Sequence, residues 1–276
     1  MYQHRTLLFT ILISSLAWTG CAKQYIQVFE TQAENGTYAG DQWAFENDTV
    51  RIRYSFWGEG GVMSFAIYNK TARPLFVDWK NSSLVLNDYR LAYWSDETLT
   101  SNVTTTRGGS STTLRYQPAT YFDWGYVLGS TTNFQSTAIS EGSMVRDERI
   151  TSIPPHAYVG MQKHELLSGS MDLNAKNSER IETMRNDRPS KSTVVLLRRF
   201  QQGSSPVRFR NFLTFSLTED MKDLFQIDNS FWLSEAREMD YRHFRGKYEG
   251  RDPTSEPIYA KPFRGRSAFY IWGAWK

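Results

Sequence analysis

The sequence predicts a mainly β protein, an antiparallel β-sandwich of immunoglobulin-like or related type carrying long polar loops. Three observations lead there. Apolar and polar residues alternate with a period of two in "VRIRYSFW". Short apolar runs recur at roughly 8–12-residue spacing with turn residues between them. Aromatic residues make up 15% of the chain, whereas charged residues at 22% and a net charge of +3 are ordinary. That balance argues against a nucleic-acid partner, which would require a strongly basic face, so pairs such as Arg198-Arg199 and Arg208/Arg210 are read as solvated strand edges.

Taken in order, residues 23–44 read as a tether with a first strand around Tyr25 to Thr31. In the next block Val50, Ile52, Tyr54 and Phe56 face one side, and Arg51, Arg53, Ser55 and Trp57 the other. "GEGG" (Gly58 to Gly61) supplies the left-handed backbone a hairpin needs, and the chain returns with Met63, Phe65 and Ile67 on one face. Asn69 to Arg73 is a polar turn. Pro74 suits the start of a strand, in which Leu75, Val77 and Trp79 point inward, before a break at Asn81-Ser82-Ser83 and another short strand.

Between Ser95 and Ser143 the composition turns to Ser, Thr and Gly around the aromatic "YQPATYFDWGYVLG". Such stretches bury too little surface to offset ordering entropy, and they are expected to form long mobile loops around one packed turn. Long loops of this kind are often functional, which makes Tyr121, Phe122, Trp124 and Tyr126 the candidate contact residues. A second polar interval, 169–192, reads as a loop or a marginal helix. Strands resume at "STVVLLRRF" and at "VRFRNFLTFSL", where Val207, Phe209, Leu213, Phe215 and Leu217 share a face with one polar intruder, Asn211. "SFWLSEAREMDYRHF" opens like a strand and could continue as helix from Leu233 to Met239. Phe269 to Trp272 are expected to add a late core strand. The domain expected from these elements runs from 45 to 276, with insertions near 95–143 and 169–192.

Chemistry was sought residue by residue. The histidines outside the leader, His156, His164 and His243, lie far apart, with no HExxH-like spacing and one cysteine in the whole chain, so no metal site is expected. A G-x-S-x-G elbow and a Walker or dinucleotide glycine motif are also lacking, and no cofactor is expected. Asp78 in "VDW" and Asp123 in "FDW" are the carboxylates to consider for glycoside hydrolysis. The plainer reading of an acid between aromatics is the solvent face of a strand. The Asn-x-Ser/Thr triplets starting at Asn35, Asn47, Asn69, Asn81 and Asn102 read as turn residues near hydroxyls.

The N-terminus carries its own signal. Arg5 precedes an apolar run from Leu7 to Trp18, too short to span a bilayer, as in a secretory signal. Ala17-Trp18-Thr19-Gly20-Cys21 then resembles the lipobox of bacterial lipoproteins, with Trp18 departing from the aliphatic residue usual there. The resemblance implies cleavage of a signal peptide spanning 1–20 and a lipid on Cys21, which would begin the mature chain. "DTV" (Asp48-Thr49-Val50) resembles the short O-glycosylation signal of Bacteroidetes envelope proteins, which would place a glycan on Thr49.

With its leader and its strand block from Val50 to Asp88, the chain resembles an uncharacterised Bacteroidetes-type lipoprotein. The resemblance implies attachment to the outer membrane. In such proteins acidic residues after the cysteine resemble an export code to the cell surface. "CAKQYIQ" has none before Glu30, which favours the periplasmic face. The function expected is a non-catalytic binding or assembly component with an envelope protein or a polysaccharide as partner. A carbohydrate-binding surface module is the alternative, and a glycan-active hydrolase the third.

Overall fold

A computed structural model describes residues 24–94, 148–252, 255–260 and 262–273. It is mainly β and sandwich-like. A ten-stranded and a five-stranded antiparallel sheet enclose one large hydrophobic core, with a separate two-stranded ribbon. Among the described residues no helix is long and apolar enough to cross a membrane.

The five-stranded sheet is built from β2 (Thr37–Ala39), β3 (Gln42–Glu46), β4 (Val50–Ser55), β5 (Val62–Asn69) and β10 (Tyr158–Glu165), in the order β10-β5-β4-β3-β2. The predicted alternation holds in β4, where Val50, Ile52 and Tyr54 are buried between half-exposed Arg51, Arg53 and Ser55. On β5 Met63, Phe65 and Ile67 are fully buried. Ser64 and Ala66, on the opposite face of this interior strand between β4 and β10, are buried as well. The glycines after β4 do more than turn the chain. Gly61 has φ +68°, and a Cβ there would stand 2.6 Å from the Phe269 ring, so only glycine lets the hairpin close against the last strand.

The large sheet is organised along β14 (Leu224–Asp240), a 17-residue strand. Its first half pairs with β13 (Arg208–Ser216) and its second half, on the same edge, with β12 (Ser192–Arg199). β12 and β13 are both antiparallel to β14, so together they act as one long strand interrupted by a 3-10 turn at Gln202–Ser204. On the other edge β1 (Tyr25–Ala33) pairs with residues 231–240, and β17 (Ala268–Trp272) pairs with β1. The sheet extends beyond β13 through β6 (Leu75–Asp78), β7 (Ser83–Leu86), β8 (Tyr89–Ala92) and β9 (Ile150–Ile153), and beyond β12 through β11 (Glu179–Met184). A single helical turn, α1 (Tyr241–Arg245), follows β14, and the ribbon pairs β15 (Tyr248–Arg251) with β16 (Pro257–Tyr259).

Aromatic rings join the layers. Tyr54 meets Phe231 at 4.8 Å between ring centroids, and Phe56 meets Phe209 and Phe231 at 5.3 and 5.4 Å. Leu75, Val77 and Trp79 point inward as expected, as do Val207, Phe209, Leu213 and Phe215.

Three regions differ from the sequence expectation. In residues 24–44 the expected first strand is present as β1, but the rest is no tether: it holds β2 and most of β3, and Ile26, Val28 and Phe29 of β1 are fully buried. Leu233 to Met239 is strand, not helix. β1 pairs along all of it but Ser234 and β12 along 235–238, and these ladders outweigh the helix propensity of "SEAREM". The interval 169–192 contains β11, an edge strand whose charged side chains face solvent and discourage further pairing.

Candidate functional site

Cys21, Tyr121, Phe122, Asp123, Trp124 and Tyr126 lie outside the described residues. Thr49 is half-buried in the turn between β3 and β4. Its N–H donates to Asn47 Oδ1 and its carbonyl accepts from Lys70 N–H. Asn47, Asn69 and Asn81 hold turns as expected, and Asn35 bonds the backbone of Asp228 and Ser230.

Asp78 is not on the solvent face of a strand: it is 2% exposed. The chain folds under itself after β6, and the carboxylate accepts from Lys80 N–H at 3.0 Å and from Asn81 Nδ2 at 2.8 Å, with the Arg149 guanidinium at 3.6 Å. Ser82 Oγ donates to the Asp78 carbonyl and accepts from Thr214 N–H, which ties this turn to β13. The Asp78 carboxylate is therefore taken up by the turn. Among the described residues no three His, Cys, Asp or Glu side chains gather in a way that could hold a metal ion.

Two regions stand out. The first is the rim where the described chain breaks off after Trp94 and resumes at Glu148. Ala92, Ser83, Phe212 and Asp228 form one row across β8, β7, β13 and β14. The next residue, Tyr93, drops into the core at 2% exposure. Its hydroxyl donates to Asn211 Oδ1 at 2.8 Å, Asn211 Nδ2 donates to Tyr54 Oη at 3.2 Å, and Tyr54 donates to Asn229 Oδ1 at 2.6 Å. The polar intruder of β13 is thus the middle of a buried hydrogen-bonded chain. Burial, which disfavours the charged form, pushes both tyrosine hydroxyls well above their usual range.

The rim is fastened by β10 of the five-stranded sheet too. Lys163 Nζ donates to the Tyr93 carbonyl, and His164 Nε2 lies 2.9 Å from the Ala92 carbonyl. Burial lowers the His164 pKa, and the Ala92 bond works in the opposite direction. On the returning side Trp79 N–H donates to the Arg149 carbonyl, and Trp79 Nε1 donates to Thr151 Oγ1.

The second region lies on the outer face of the large sheet, outside the interlayer core, where β1 begins. Ile26, Val28, Val195, Met239 and Phe244 form a separate cluster there, covered by Trp57, Tyr241, Phe263 and Tyr270. α1 starts at an Asp240 side chain that accepts from Arg242 N–H and ends at Gly246, where φ is +79°. A Cβ on Gly246 would lie 1.7 Å from the Ala260 carbonyl oxygen. The turn places Phe244 near-parallel to Trp57 (16°) and to Phe263 (4°). The more exposed rings, Tyr241 and Trp272, are 5.1 Å apart but tilted by 52°. Arg245 lies 4.1 Å from the Tyr259 centroid and 5.9 Å from that of Tyr241. Beneath, His243 Nδ1 accepts from Asn186 N–H, and burial is the main cause holding its pKa low.

Sequence reasoning missed this second region. The available signal was "D-YRHFR-G", an N-capping Asp and a terminating Gly around one turn. It was submerged in an ambiguous strand-or-helix run. Comparison of the chain with protein families, curated proteins and solved structures gives no match.

Proposed function

We propose that this protein is an exported, lipid-anchored envelope component that binds or assembles with a partner and performs no catalysis itself. Cys21 carries the lipid, the outer membrane holds it with the domain on the periplasmic side, and Tyr121, Phe122, Trp124 and Tyr126 make the contacts. The observation that carries this reading is the placement of two rows on β14. Tyr25 pairs with Asp240, while Ala92, two residues before the described chain breaks off, lies in the row of Asp228. Twelve residues of strand separate the rows, a contour of about 40 Å at ~3.3 Å per residue. The described chain thus breaks off, ahead of the residues we assign to contact, far along the strand from the anchor and beside a rim held by buried bonds. Loops held by a rigid scaffold are where binding residues concentrate.

The other readings have less support. Sugar binding on stacked rings calls for exposed, coplanar aromatics, and among the described residues the near-parallel pairs involve buried rings such as Phe244, Phe209 and Phe215. A hydrolase pairing Asp78 with Asp123 would need a carboxylate already engaged by its own turn. The test is a double variant, Tyr121→Ala with Trp124→Ala. It should melt like the wild type and lose its crosslinks to an envelope protein. A large fall in melting temperature with crosslinks intact would reject the reading, and lost retention on polysaccharide with crosslinks intact would favour the sugar-binding alternative.

A further inference from the structure

We infer that the aromatic end of the large sheet rests on the phospholipid surface, with Tyr241 and Trp272 at headgroup level and Arg242 beside lipid phosphates. This rests on the reading that Cys21 is lipidated.

The argument starts from reach. Gln24 is three residues past Cys21, and an extended chain covers at most ~3.6 Å per residue, so the lipid attachment lies within about 11 Å of Gln24. Gln24 and Tyr25 are already fixed to the aromatic end. Tyr241 N–H donates to the Gln24 carbonyl at 2.9 Å, and Gly273 N–H donates to the Tyr25 carbonyl at 3.0 Å. Ile26 pairs with Trp272. A diacylated or triacylated residue on so short a connection brings these rings to the bilayer.

The chemistry of the end suits that surface. Trp272 is 36% exposed and Tyr241 half-buried, with their rings packed side by side. Trp and Tyr favour the membrane–water boundary, since each has an apolar ring with a polar atom at its edge. Arg242 is exposed on the same turn; of the carboxylates near it, Asp240 caps α1 and Asp187 is paired with Arg185, while Glu59 lies on the Tyr270 side. A basic group at a lipid surface adds electrostatic attraction to the grip of the acyl chains.

The test uses the acylated protein in vesicles of phosphatidylethanolamine and phosphatidylglycerol. An environment-sensitive dye is placed on Arg242→Cys or, at the other end of β14, on Leu224→Cys. The sulfur of acylated Cys21 takes no dye. A nitroxide on the lipid headgroup should quench most of the fluorescence at 242 and none at 224, and Trp272→Ala in the Arg242→Cys background should release part of that quenching. Lys247→Cys, also exposed, serves if Arg242→Cys does not fold. A dye at 242 that stays unquenched overturns the inference, as does equal quenching at both ends or quenching indifferent to Trp272→Ala. Mass spectrometry of the same sample separates the two ideas. An unmodified Cys21 thiol removes anchor and seat together, whereas an acylated Cys21 with an unquenched 242 dye removes the seat alone.

Discussion

The two ends of β14 use aromatic side chains in opposite ways. At the rim, Tyr93 and Tyr54 are almost fully buried, and each hydroxyl is satisfied by an asparagine. Around α1, by contrast, Tyr241, Tyr270 and Trp272 lie outside the interlayer core, only partly covered, with Arg245 over one of the rings. The paired members of a buried polar chain hold one another in one geometry, although here the Asn229 Nδ2 at its end is buried without a partner. A half-exposed ring cluster keeps apolar area in reach of another surface. Among the described residues the aromatic side chains thus occupy two separate settings, a dry core between the sheets and a partly covered cluster outside it.

The sharpest way to break the comparison is at Tyr93. Tyr93→Ala should lower unfolding free energy in urea by ~3–5 kcal/mol, as a large buried ring is lost. Tyr93→Phe should cost ~1–3 kcal/mol, since Asn211 Oδ1 is left buried without its donor. A loss below ~1 kcal/mol for the Ala variant would show the rim to be no more rigid than a surface loop.

At the other end Gly246→Ala should cost ~1–3 kcal/mol, from a strained positive φ and the clash with the Ala260 carbonyl. The damage should be local, read as faster proteolysis after 246 with protection at the rim unchanged. Faster cleavage at both ends would mean that they are not independent.

Each region also holds one histidine whose pKa burial depresses below 6.5, His164 at the rim and His243 beneath α1. A group that resists protonation in the fold stabilises it above the unfolded value. That contribution is lost as pH falls from 6.5 through the depressed folded values, because the unfolded chain then binds the proton more readily. Stability measured by urea melts should fall over that interval, and His243→Leu should flatten the slope. Glu30, whose carboxyl pKa burial raises, works the other way on acidification. The histidine contribution is therefore read as the difference between wild type and His243→Leu, and identical pH slopes would contradict it. The smallest expected effect is that of Trp272→Ala, about 1 kcal/mol or less in urea, since its ring sits at the surface.

How much of this was legible depends on whether the signal was local. The hairpin from Val50 to Ile67 could be read because one face is buried and the other wet, which writes a period of two into the sequence. Leu233 to Met239 could not, because what makes it a strand is β1, some 200 residues earlier, and β12 on its other edge. Asn211 was visible as an intruder, yet its partners lie 118 and 157 residues away. Asp78 misled for a related reason: an acid flanked by aromatics looks the same in sequence whether it faces water or caps its own turn.

The pairing of β1 has a mechanical consequence. A pull between a membrane-held Tyr25 and a partner held beyond the rim runs along the strand axes rather than across them. β1 is locked to β14 by a register running from Tyr25 to Ala33 and to β17 on its other edge. Under such a load these ladders are sheared, so their bonds must fail together instead of opening one after another like a zip. On the proposed anchoring the first strand would therefore carry the tension, and the force needed to dislodge it would grow with the length of ladder that must slip at once.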